Sequence, residues 1–133
     1  MILAFALQAA FACASPGVHD GDNISCGRSL SAGANGQPAG RRQMRLAGID
    51  APELAGSPRH RGGGDAAGRR ARDHLRALVA GRAVTCRLVD ATPRVPGFQA
   101  ADRYGRPVVR CAAAGVGDLG EAMVRAGHAR RWR

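Results

Sequence analysis

Apolar and polar positions alternate along several short stretches of the chain, and two longer stretches repeat at helical spacing. Over residues 82–89, Val84, Cys86 and Leu88 face opposite to Ala83, Thr85 and Arg87, the period of a half-buried strand. Residues 42–49 alternate in the same way and predict a strand that ends at Asp50 and is stopped by Pro52. Residues 106–112 predict another. Between residues 65 and 80, Ala71, Leu75, Leu78 and Val79 share one helical face, and Gly81 closes the helix as its C-cap. A shorter helix is predicted over residues 118–126, with Asp118 as N-cap and Gly127 as C-cap. Asp20-Gly21-Asp22-Asn23 predicts a hairpin turn flanked by strands, because Asp, Gly and Asn tolerate the positive φ of tight turns. Residues 27–40 and 90–101 read as loops, and the Gly-rich, basic residues 55–64 as a mobile surface loop.

No repeat or linker divides the 133 residues, so a single domain is expected. The first 14 residues are apolar and uncharged. Ala12-Cys13-Ala14 has the small-x-small form of a signal-peptidase site, which predicts a leader over residues 1–14, a mature domain over 15–133 and a secreted or periplasmic location; otherwise the protein is cytoplasmic. A second reading makes residues 11–18 the first strand. The stretch is too short to span a bilayer as a stable helix, so no stable membrane association is expected.

Charge narrows the partners. Lys plus Arg number 20 against 10 Asp plus Glu, a formal +10, and the cations are arginine, whose planar fork of donors matches phosphate. Nucleic acid is the natural polyanion for such a surface. The four cysteines, Cys13, Cys26, Cys86 and Cys111, contain no C-x-x-C pair, which argues against a zinc knuckle or a thioredoxin-like site. Two disulfides are allowed, with three connectivities open; Cys86 with Cys111 is one candidate pair. His19, His60, His74 and His128 lack zinc-site spacing and an obvious Ser or Cys partner, and read as surface or structural.

The candidate chemistry lies in Asp20-Gly-Asp22, Arg45-Leu-Ala-Gly-Ile-Asp50-Ala-Pro-Glu53, Asp102-Arg-Tyr-Gly-Arg106 and Asp118-Leu-Gly-Glu-Ala-Met-Val-Arg-Ala-Gly127. Each alone is a common turn, strand end or helix. In this order they resemble the staphylococcal nuclease (thermonuclease) family, over about residues 18–127. The resemblance implies an α+β fold built on a five-stranded OB-type β-barrel, with a further C-terminal helix that this chain, stopping at Arg133, does not reach. It implies a monomeric calcium-dependent endonuclease, a hydrolase of DNA or RNA phosphodiester bonds. Calcium ligands then fall on Asp22, Asp50 and the main-chain carbonyl of Ala51, oxygen donors suited to a hard cation. The catalytic group falls on Arg45, Glu53 and Arg106, with Glu53 as general base, and Arg103 and Tyr104 fall where substrate phosphate is held. Asn23 stands where the family carries Thr, a small change expected to loosen the site without removing a carboxylate. The alternative is a non-catalytic OB-type nucleic-acid-binding module, which would weaken with salt and ignore calcium. An arginine-rich interaction protein would account for the charge but not for the ordered acidic residues.

Overall fold

The structure, a computed structural model, describes residues 9–27, 43–54 and 64–132. In chain order the elements are β1 (Phe11–Ala12), β2 (Gly17–Asp20), β3 (Asn23–Ser25), β4 (Gln43–Leu46), β5 (Ile49–Asp50), α1 (Gly64–Val79), β6 (Val84–Leu88), β7 (Val108–Ala113), β8 (Gly117–Asp118), α2 (Leu119–Arg125) and β9 (Arg130–Arg131). The main sheet runs β1-β6-β7-β4-β3-β2, with β8 on β7, while β5 and β9 pair with each other. Its pairings are antiparallel except β4 with β7, which is parallel, so the sheet is mixed. The expected loop over residues 27–40 and the expected mobile loop over 55–64 lie almost wholly outside the described residues.

The elements follow from what their sequences can bury. In β6, Val84 and Cys86 are buried while Thr85 and Arg87 are exposed. In α1, Ala71, Leu75 and Val79 recur every fourth residue and turn one stripe inward, so that the helix packs on β2. Asp118 caps α2, its Oδ2 accepting the Glu121 N–H at 2.9 Å, and Leu119, Ala122 and Met123 pack down into the core. Ile24, Met44, Leu46, Leu75, Val109, Leu119 and Met123 form the fully buried centre. Among the described residues no helix is long and apolar enough to cross a membrane.

Two expectations change. Among the described residues the main sheet takes in seven short strands and does not close into a barrel, and the count of five is not met by this pairing. Its two sides are tied in another way: Cys13, just after edge strand β1, is disulfide-bonded to Cys26, just after β3, the neighbour of the opposite edge strand β2, and the Gly27 N–H donates to the Ala14 carbonyl beside it. Cys86 and Cys111, directly opposite on β6 and β7, form the second disulfide. Each bridge contributes about 2–4 kcal/mol, largely by restricting the unfolded chain. Phe11 and Cys13, inside the stretch read as a leader, are core residues. Residues 1–8 lie outside the described residues, and the strand reading of residues 11–18 is divided at Ser15 into β1 and β2.

The second change concerns the strand expected over residues 42–49. β4 pairs with β3 and β7, but the chain turns at Ala47 and Gly48, where Gly48 adopts φ 75°, and β5 leaves the sheet to pair with β9. A residue without Cβ takes that φ at no steric cost. The jog directs Asp50 and the segment after it toward the β2–β3 hairpin.

Candidate active site

The β2–β3 hairpin carries acidic side chains into the interior, where they survive only if hydrogen-bonded. Asp20, Asp22 and Asn23 are all buried. The Asn23 side-chain amide donates to Asp20 Oδ1 at 2.7 Å and to Asp22 Oδ1 at 3.2 Å, and the Ala51 N–H donates to Asp22 Oδ2 at 2.9 Å. Gly21 lies outside the positive-φ region expected of it. Its requirement is space instead: a Cβ there would stand 2.7 Å from the Ala71 Cβ and 2.8 Å from the Ala51 Cβ. Helix α1 and the segment after β5 therefore close on the hairpin from both sides.

Arg45 on β4 is 5% exposed and joins the acidic groups. Its Nη1 lies 2.5 Å from Asp22 Oδ2, its Nη2 donates to the Ile49 carbonyl at 2.9 Å, and Nη2 lies 3.6 Å from Asp50 Oδ1. The jog at Gly48 makes this possible, because it folds Ile49 and Asp50 back toward a residue four or five positions earlier. Asp50 Oδ2 also lies 3.5 Å from Arg130 Nη2. Burial pushes the Asp22 carboxyl above the usual carboxylate range and the neighbouring Asp20 charge adds to this; Arg45 and the Ala51 N–H draw it back only in part.

Arg106 reaches the same region from the other side. Asp102 organises its loop by accepting the backbone N–H groups of Tyr104 and Arg106, each at 2.9 Å, and Arg106 Nε at 3.0 Å. Arg106 Nη1 then lies 3.4 Å from Asn23 Oδ1. Asn23, expected to loosen the site, instead links Asp20, Asp22 and Arg106, using an amide's ability to donate and accept at once. Glu53 is half-buried on residues 51–54 beyond β5. Gly68 of α1 approaches so closely that a side chain there would collide with the Glu53 carbonyl. Thus Asp22, Arg45, Asp50 and Ala51 are joined by direct contacts, Arg106 is joined through Asn23, and Glu53 is set on the segment that continues from Ala51.

Arg45 and Arg106 also line an open cleft of about 930 Å³, with Arg103, Tyr104 and Trp132 among its walls. The Arg103 and Arg106 guanidiniums lie 5.2 and 5.4 Å from the Tyr104 ring centroid, and Arg45 lies 5.1 Å from that of Trp132. Sequence reasoning missed Trp132, which sits in a basic tail with no periodicity. A lone tryptophan set between arginines was the available signal. Among the histidines, His74 and His128 stack with ring centroids 4.7 Å apart, His19 is exposed, and His60 lies outside the described residues.

The donor set suits a hard divalent cation: buried Asp22, Asp50 and nearby main chain offer oxygen, and a cation would relieve the cost of the buried Asp22 charge. Arg45 already bridges the two carboxylates and would share them with it. Residues 43–133, a span from β4 to the end of the chain, match the family described as staphylococcal nuclease homologue. No curated protein matches the chain.

Proposed function

Because the chain belongs to the family of staphylococcal nuclease homologues, we propose that it is a calcium-dependent nuclease hydrolysing phosphodiester bonds of DNA or RNA. The observation that carries this reading is the meeting of Asp22 and Asp50 on the Arg45 guanidinium, with Arg106 brought alongside through Asn23. A phosphodiester is an anion that gains charge as it is attacked, so its enzyme must hold phosphate oxygens and remove a proton from water. Arg45 and Arg106 hold the oxygens through guanidinium hydrogens not taken by Asp22, the Ile49 carbonyl, Asp102 and Asn23. Asp22, Asp50 and the Ala51 carbonyl would bind calcium, which supplies positive charge to the phosphate and to the attacking water. Glu53 receives the water's proton on its carboxylate. Arg106 donates a hydrogen bond, not a proton, to the leaving oxygen, because a guanidinium is not deprotonated in proteins. Arg103 and Tyr104 hold a neighbouring phosphate at the cleft wall.

The two disulfides support an oxidising compartment, hence a secreted or periplasmic protein. Since Phe11 and Cys13 pack in the core, the export reading goes with processing ahead of Phe11 rather than after Ala14. N-terminal sequencing of the exported protein checks this, and a mature chain beginning at Ser15 would reverse it.

The test is cleavage of single-stranded DNA and RNA with calcium or with chelator at fixed ionic strength, beside Glu53→Gln. Calcium-dependent cutting is expected, reduced by about 100- to 10,000-fold in the variant, the range of a general base. A folded sample that binds nucleic acid under both conditions and never cuts it is the binding module instead.

A further inference from the structure

Resting on that reading, we propose that Trp132 is a nucleobase-stacking residue, whose indole takes an unpaired base beside the phosphate held by Arg45. Trp132 and Tyr104 are the chain's only tryptophan and tyrosine, and they are 58% and 61% exposed. Large aromatics contribute most to stability when buried. Here both stand on the wall of a cleft that also presents Arg45 and Arg106.

The backbone that carries the indole is set in place before any ligand arrives. The Trp132 backbone N–H donates to the Gly48 carbonyl at 2.8 Å, and the preceding residue, Arg131, is paired with Ile49 across the β5–β9 ladder. Arg131 is in turn held by Glu121 through two contacts of 2.6 Å. The Arg45 guanidinium lies over the ring, and the indole stays more than half exposed on the wall of the cleft. A base stacked there sits next to the residue that grips phosphate, so binding the base places the adjoining phosphodiester.

Stacking requires a free base face. Inside a duplex those faces are covered by neighbouring pairs, so the indole favours unpaired or extruded bases. It also tolerates any base, because each has a π face. The nucleotide entering this position is therefore chosen by being unpaired rather than by its identity.

The lone tryptophan is its own reporter. In chelator, so that nothing is cut, its fluorescence is followed while an oligothymidylate, an abasic phosphodiester of the same length and a duplex are added, with binding read independently by anisotropy. The oligothymidylate should quench the indole, and the abasic strand should bind about 10-fold more weakly without quenching, in line with the measured worth of one stacked base. Trp132→Ala should weaken oligothymidylate binding about 10-fold and leave abasic binding unchanged, and Trp132→Phe should restore most of the loss. Circular dichroism checks that both variants are folded. Oligothymidylate that binds without quenching, or an abasic strand that binds and quenches equally, overturns this proposal alone. Absence of binding by any strand both in chelator and in calcium with Glu53→Gln overturns it together with the nuclease reading.

Discussion

Asp22 with Arg45 and Glu121 with Arg131 are the same pairing of charges at nearly the same separation, 2.5 and 2.6 Å, yet they answer to opposite forces. The first has side chains 3% and 6% exposed, and burial keeps the Asp22 carboxyl above its ordinary range despite the partner. The second stands in solvent, and hydrogen bonding to Arg131 draws the Glu121 carboxyl below its ordinary range. Burial decides the difference. In water a partner stabilises a carboxylate and little is lost when it goes. In the interior the partner only offsets part of the desolvation, so the charge stays available to a stronger cation or an incoming phosphate.

The comparison can be broken most sharply at Arg45. Arg45→Ala should reduce cleavage by about 100- to 1,000-fold, the scale for losing a donor to developing charge, and lower unfolding stability by about 3–5 kcal/mol by stranding a buried carboxylate. Activity assays and urea melts of Arg45→Ala beside Arg131→Ala check both; equal melts would sink the distinction. Next in size, calcium at 100 times its Kd should stabilise the protein by about 2.7 kcal/mol, seen as a raised melting temperature that Asp22→Asn removes. A comparable effect is expected of Gly21→Ala, which has no space for its methyl between Ala51 and Ala71 and should cost about 1–3 kcal/mol.

The pH dependences carry opposite signs. Asp22 has a raised folded-state value, so the stability linked to it in metal-free protein is present below the unfolded carboxylate value and is lost as pH rises through the folded one. Glu121 has a lowered value, so its share is present above the unfolded value and is lost as pH falls through the folded one. Thermal melts across pH should show Asp22→Asn flattening the first slope and Glu121→Gln the second. The smallest effect is that of Arg131→Ala alone, which should barely move the melting temperature and disappear in high salt.

How much of this was legible in the sequence depends on whether a residue's reason lay nearby in the chain. Helix α1, its capped companion α2 and strands β6 and β7 announce themselves through their own periodicity and caps. The acidic hairpin was legible as a turn, but Gly21 is glycine because of Ala51 and Ala71, which sequence spacing does not reveal. The break between β4 and β5 shows in the sequence only as a shift of phase, from Met44 and Leu46 to Ala47 and Ile49, which does not reveal that the partner strand changes. Strand β9 and Trp132 were hidden for a related reason: a two-residue strand owes its existence to β5 and has no pattern of its own.

The tie between Cys13 and Cys26 has a bearing on the order in which the molecule is made. These cysteines are 13 residues apart, against 25 for Cys86 and Cys111, and the shorter loop is the easier to close. Both reach the end of a nascent chain before any of β6 exists. The first bridge can therefore close before β6 has taken its place against β1, which then offers it a waiting edge.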